Sequence, residues 1–260
     1  SHINYSIKYL YSLVNSENFN EALNYSKKLE KQKIDSFESN LITGVIYLKK
    51  SNLNLAKKYF SKAKNKNSTF ILNNYVSSSL YNWSNLEKLN LNSAILELEK
   101  LDKRFENLKK IQNIFLHCFF NDNNTNNLFN QLTSNKKTDF SRYNYFNASY
   151  LVSINKINEA KKIVNSSLSI YPRNLLLNQY KINLDKNKNL SNFNCNQESH
   201  IIAEILYITA NALSSQSIYP LSNFYLNLAK YLNEDFHSYD TLLAENFYKI
   251  DNLENAKKIY

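Results

Sequence analysis

Apolar residues along this chain recur at helical spacing. Ala56, Tyr59, Phe60 and Ala63 fall at i, i+3, i+4 and i+7, which makes one stripe on a helix of 3.6 residues per turn. The preceding segment spreads Leu41, Ile42, Val45, Ile46 and Leu48 over a broader surface. A helix that is apolar on more than one side needs cover from more than its own hairpin partner, and stacked helix pairs provide it.

The turns between these helices carry a repeated signature. Asn18-Phe19-Asn20-Glu21-Ala22 is matched by Asn52-Leu53-Asn54-Leu55-Ala56, Asn90-Leu91-Asn92-Ser93-Ala94, Lys156-Ile157-Asn158-Glu159-Ala160 and Asn252-Leu253-Glu254-Asn255-Ala256. Asn tolerates the left-handed backbone of a tight turn, and Ala allows close helix approach. Each copy is therefore expected to be a turn and the first turn of the helix after it. Ala22 and Ala56 lie 34 residues apart, Ala56 and Ala94 38, Ala94 and Ala160 66, and Ser222 and Ala256 34. Two helices of about 13 residues with short turns sum to roughly that period. The 66-residue interval leaves room for a degenerate copy near Leu128.

The pattern resembles the tetratricopeptide repeat family. The best copy is Thr43-Gly44, Tyr47, Ala56, Phe60 and Ala63. Others are Ala148, Leu151, Ala160, Val164 and Pro172, then Ala210, Leu213, Ser222, Leu226 and Ala229, then Ala244, Phe247, Ala256 and Tyr260. Residues 105–135 and 174–200 fit poorly. The resemblance implies an all-α fold, a right-handed superhelical solenoid of antiparallel helix pairs. It is expected as one continuous solenoid with an N-terminal block at 1–187 and a second block at 188–260. The polar run 121–127 is expected to be an enlarged turn, and 185–199 a connection between blocks. Tyr260 falls on an inward aromatic position, so the array is expected to continue past it.

The family's register implies a concave groove that holds a peptide or partner protein. The residues at its lining positions are Ile7, Tyr11, Leu41, Val45, Lys49, Tyr145, Ser149, Val152, Tyr207, Asn211, Thr241, Glu245 and Tyr248. The segment Ala203-Glu204, Leu206, Ala210, Ala212-Leu213, followed by Tyr225-Leu226-Asn227-Leu228-Ala229 and Tyr231-Leu232-Asn233, is also similar to a group of bacterial tetratricopeptide proteins with no assigned activity. That likeness implies a bacterial origin.

Composition narrows the chemistry. The chain has one glycine, Gly44, so glycine-rich phosphate loops and the GxSxG nucleophile elbow are excluded by count. His2, His117, His200 and His237 have no second histidine at ligand spacing. His117 and Cys118 are adjacent on an apolar helix, where successive residues do not face each other, so the pair is expected to be packing and not a nucleophile with its base. Cys118 and Cys195 form no CxxC pair, and neither a disulfide framework nor a zinc site is expected. We therefore expect no enzyme, no catalytic or metal residues and no cofactor, but a protein-binding scaffold.

Net charge is +10, carried by lysine, with arginine only at Arg104, Arg142 and Arg173. Abundant Lys, Asn, Ile, Tyr and Phe with scarce Gly, Pro, Ala and Arg is the profile of A/T-rich codons, which weakens the charge as a clue. The lysines are expected to be spread over many helices, so binding to nucleic acid or an anionic surface is the alternative reading. No stretch reaches the roughly 18 apolar residues of a membrane span. A soluble protein is expected, cytoplasmic, or periplasmic if a leader has been removed.

Overall fold

The computed structural model describes residues 2–66 (side chains from residue 3), 70–134, 138–186 and 192–259. Tyr260 and the expected division at 187/188 lie outside the described residues. Among those described there are fifteen α-helices, two 3₁₀ turns and no strand. The helices are α1 (His2–Asn15), α2 (Phe19–Lys31), α3 (Phe37–Lys49), α4 (Leu53–Asn65), α5 (Ile71–Trp83), α6 (Leu91–Glu99), α7 (Glu106–Phe119) and α8 (Thr125–Thr133). They continue as α9 (Tyr143–Ser153), α10 (Ile157–Ile170), α11 (Leu175–Asp185), α12 (Glu198–Ser215), α13 (Tyr219–Leu232), α14 (Ser238–Lys249) and α15 (Leu253–Ile259). The fold is all-α. No helix among the described residues is long and apolar enough to cross a membrane.

The turns reuse one device, and it is not the expected one. At four of the five copies the left-handed residue is Glu17, Ser51, Asn155 or Asp251, one place before the signature's first residue, and Ser217 does the same before Ile218, with φ between 56° and 62°; before Asn90, Leu89 instead has φ −119°. The next amide then reaches back to the preceding helix: Asn18 N–H donates to Leu13 O at 2.8 Å, Asn52 N–H to Tyr47 O at 2.9 Å and Asn252 N–H to Phe247 O at 2.9 Å. This is a Schellman closure. The signature asparagine has negative φ, −87° at Asn18 and −97° at Asn52. It serves instead as a helix N-cap. Asn52 Oδ1 accepts from Leu55 N at 3.1 Å and Asn90 Oδ1 from Ser93 N at 2.9 Å, each satisfying a first-turn amide that has no partner within the helix. The asparagine run is also shorter as a turn than expected, because α8 begins at Thr125 and takes Asn126 and Asn127 into its first turn.

The signature alanines Ala22, Ala56, Ala94, Ala160 and Ala256 are all buried. Opposite them small residues set the helix separation. A Cβ at Gly44 on α3 would stand 2.4 Å from Phe60 Cε1 on α4, and Phe60 is itself fully buried. The ring has nowhere to turn. Gly44→Ala is therefore expected to cost about 1–3 kcal/mol by overpacking, although alanine is the better helix former. Urea unfolding measures it, and Phe60→Leu in the same chain should recover part of the loss. A neutral or stabilising Gly44→Ala would show that α3 and α4 are not this close.

The helices gather into two compact units, residues 1–105 with 198–260, and residues 106–197. In the first, α3 packs on α4 and α12 on α13, and α13 also packs on α1 and α3 while α12 packs on α5. Helices far apart in sequence thus pack on one another as well as on their neighbours. The physical reason lies in α12 and α13. Ile201, Ile202, Ile205, Leu206, Phe224, Tyr225, Leu226 and Leu228 are all buried, and these two helices are apolar on more faces than one hairpin partner covers. Residues 198–260 thus belong with the N-terminal helices, and the units meet the sequence at 105/106 and 197/198.

In the second unit α9 packs on α8, α10 and α11, and α7 on α8. Its core is aromatic. The ring of Phe115 lies 5.4 Å from Phe146 and 5.5 Å from Phe193, and Phe146 lies 4.5 Å from Phe193. Phe193 belongs to the segment 192–197 after α11. A disulfide joins Cys118 on α7 to Cys195 in that segment, with Cα atoms 5.9 Å apart and a sequence separation of 77. This corrects the expectation that these cysteines form no disulfide. Their distance in sequence carries no pairing signal, and only the folding of the segment 192–197 onto α7 brings them together.

Candidate functional site: inner helix faces and a basic outer face

The groove positions expected on α1 and α3 do not face open space. Leu41 and Val45 are fully buried, and Ile7, Tyr11 and Lys49 are partly covered. Part of the cover comes from the chain's own α13 and the residues just after it. Tyr11 lies 4.6 Å from Phe224 between ring centroids, and burial together with the charge of Glu38 pushes its phenol far above the usual range. Lys49 Nζ pairs with Glu234 at 2.8 Å and stands 5.7 Å from the Tyr231 ring. Phe19 stacks on Tyr231 at 3.9 Å, Asn227 Nδ2 donates to Asn15 Oδ1 at 3.2 Å, and Lys230 Nζ meets Glu17 at 3.1 Å. His200 on α12 is pushed down to about 4 by burial and by Lys49, against a weaker opposing pull from Asp235, so it is neutral at pH 7.

Magnitudes decide what holds this face shut. Exposed ion pairs such as Lys49–Glu234 are worth about 0–1 kcal/mol each. Each fully buried Leu, Ile or Phe contributes about 1.5–3 kcal/mol, so α12 and α13 form core on this face and not a loosely held plug.

The remaining groove positions are divided. On α9, Tyr145 and Ser149 are buried, with Tyr145 4.8 Å from Tyr180 between ring centroids, and Val152 is half-covered. Tyr207 on α12 is half-covered and lies 5.5 Å from Tyr239, while Asn211 is exposed. On α14, Thr241 is half-covered and Glu245 and Tyr248 are exposed. The thirteen positions therefore do not form one continuous open surface within either unit.

Two other expectations can be placed directly. His117 Nδ1 turns to Asp122 Oδ1 at 3.0 Å, while Cys118 is in the disulfide. Among the described residues no three His, Cys, Asp or Glu side chains gather where a metal ion would sit.

The lysines are less evenly spread than expected. Residues 21–66 carry eleven lysines and four carboxylates, whereas residues 198–260 carry four lysines and eight carboxylates. On the outer helices α2 and α4 the side chains converge on tyrosine rings. Lys27, Lys62 and Lys58 place their ammonium groups 4.1, 5.3 and 5.9 Å from the Tyr59 centroid. Lys57 and Lys64 stand 5.7 and 5.3 Å from the ring of Tyr81 on α5. Such cation–π contacts stabilise a high density of positive charge.

Within this cluster one carboxylate is gripped from three sides. Glu30 accepts from Lys62 Nζ at 2.5 Å, Tyr59 OH at 2.8 Å and Lys27 Nζ at 3.3 Å. Burial raises its pKa, but these hydrogen bonds outweigh burial and hold the carboxyl at about 2. Lys58, over the Tyr59 ring, and Lys64, over the Tyr81 ring, remain exposed. Counting charge by segment instead of over the whole chain would have revealed this face in the sequence. No family model matches the chain, and no curated protein matches it.

Proposed function

We propose that this chain is a non-enzymatic protein-binding scaffold of tetratricopeptide-like helix pairs, and that it binds an acidic protein segment across the outer face of α2 and α4. One observation carries the reading. Five lysine ammonium groups are arrayed around Tyr59 and Tyr81, and that array already holds the Glu30 carboxylate in a three-donor grip. Carboxylates of a partner would meet the same chemistry at Lys57, Lys58 and Lys64. The inner face of α1 and α3 packs against α13, so a separate partner is directed outward there. A bacterial protein in an oxidising compartment outside the cytoplasm accords with the Cys118–Cys195 disulfide.

The second reading is nucleic acid, favoured by the lysine density alone. It lacks a stacking platform. Tyr59 is only 3% exposed, and Tyr47 and Tyr81 are half-covered, whereas single-strand binders offer open aromatic faces. A titration of the full chain with an Asp/Glu-rich peptide and with a single-stranded oligonucleotide, each at low and moderate salt, separates the two. Lys57→Gln/Lys58→Gln/Lys64→Gln is expected to weaken the peptide by about tenfold, through loss of three rim charges. Unchanged peptide affinity removes the proposal. Tighter, steeply salt-dependent oligonucleotide binding puts the second reading in its place.

A further inference from the structure

The second compact unit contains a cavity that the basic face does not use and that two of the expected groove positions, Ser149 and Val152, help to line. Its volume is about 290 Å³. Its floor is made by the rings of Phe129, Phe146 and Phe193 and by the Cys118–Cys195 disulfide, its side by Val152, and its rim by Ser153 and Asn194. The three phenylalanines are almost fully buried as residues, while Ser153 and Asn194 are exposed. The site is thus mainly apolar below, where the buried Ser149 hydroxyl is held by Phe193 O, and polar at its mouth.

One wall is built rather than incidental. The segment 192–197 is fixed by the disulfide, by Ser149 Oγ donating to Phe193 O at 3.3 Å and by Asn196 Nδ2 donating to Phe119 O at 3.1 Å. Phe193 is locked between Phe115 and Phe146. The cavity therefore keeps its shape without an occupant, which is the condition under which an apolar site binds at low ordering cost. An apolar cavity of about 150 Å³ holds benzene and excludes water. One of about 290 Å³ has room for two fused rings or a comparable aliphatic body.

We propose that this cavity is a binding site for a small, ring-bearing apolar molecule with a single hydrogen-bonding group. The ring body lies against Phe129, Phe146 and Phe193, and the polar group faces Ser153 and Asn194. Aromatic rings suit the floor because offset and edge-to-face contacts with phenylalanine add to simple burial. The site does not depend on what α2 and α4 bind.

Indole has this chemistry, with a bicyclic body and one N–H donor, and serves as the probe. Calorimetric titration of the full chain with indole should give saturable binding at one site. Ser153→Trp, at the exposed rim, should block the mouth, and Val152→Trp should fill the side. Each should weaken indole by about tenfold or more, equivalent to roughly 1.4 kcal/mol per factor of ten, with helix content by circular dichroism unchanged. Weakening in Ser153→Trp alone still supports the site, since that position is exposed and the variant should fold normally. Absence of saturable indole binding to the parent chain overturns the proposal. So does parent-like affinity in both tryptophan variants.

Discussion

Reduction of the Cys118–Cys195 disulfide is expected to lower the stability of residues 106–197 by about 4 kcal/mol, the chain-entropy value for a closed loop of this length. The bond closes a loop between residues 77 positions apart, and α8 to α11 lie inside that loop, while α7 leads into it and carries Cys118 near its end. Once it opens, the unfolded segment regains the freedom the loop had removed, while the folded segment loses the tether on Phe193. Most domains have only 5–15 kcal/mol of stability, so this loss is a large fraction of what holds the unit together. Hydrogen exchange of the full chain with and without dithiothreitol measures it, read on the α7 and α9 amides. Thiol titration of the unreduced, unfolded protein should find no free cysteine. Two free thiols in that assay, or equal protection with and without reductant, would refute the expectation.

Phe224→Ala is expected to cost about 3–5 kcal/mol, the range for truncating a buried phenylalanine. The ring is fully buried on α13 and lies 4.6 Å from Tyr11 on α1. The informative readout is where the loss appears. If α13 closed only against its sequence neighbours, amide protection would fall in α12 and α14 and leave α1 untouched. Because α13 also packs on α1 and α3, protection should fall in α1 as well, more than 200 residues earlier in the sequence. Unchanged protection of α1 in a folded Phe224→Ala chain would mean that the inner face of α1 is open.

Much of the local structure was legible because it depends on nearby residues. The stripe Ala56, Tyr59, Phe60 and Ala63 became the buried face of α4, and every signature alanine is buried where its spacing placed it. The turn signature located the turns correctly but misassigned the asparagine. A capping role and a left-handed role both favour Asn, and composition alone does not separate them. The left-handed position fell to Glu17, Ser51 and Asp251, in a chain with almost no glycine to offer.

The groove was less legible. Family register identifies which face of a helix is inner, but not what covers that face. Leu41 and Val45 read equally well as groove lining or as core, since an apolar residue on an inner face has the same spacing in both cases. The basic face was present in the sequence as a local excess of lysine between residues 21 and 66, but averaging over the whole chain hid it.

By itself the sequence determined the buried stripe of α4, the positions of the repeated turns and the exclusion of glycine-rich loop motifs, but not α7, α8 and α11, which fall where the repeat pattern fits poorly. The stripe and the turns follow from periodicity, capping and turn residues within a few positions of one another. Only the tertiary structure decided that α13 packs on α1 and α3, that Cys118 meets Cys195, and that Lys27 joins Tyr59 beside Lys58 and Lys62. Each of these joins residues about 30 to more than 200 positions apart, and nothing in local spacing favours one distant partner over another. The choice is made by which apolar faces remain uncovered once the hairpins have formed, and that is a property of the packed helices together.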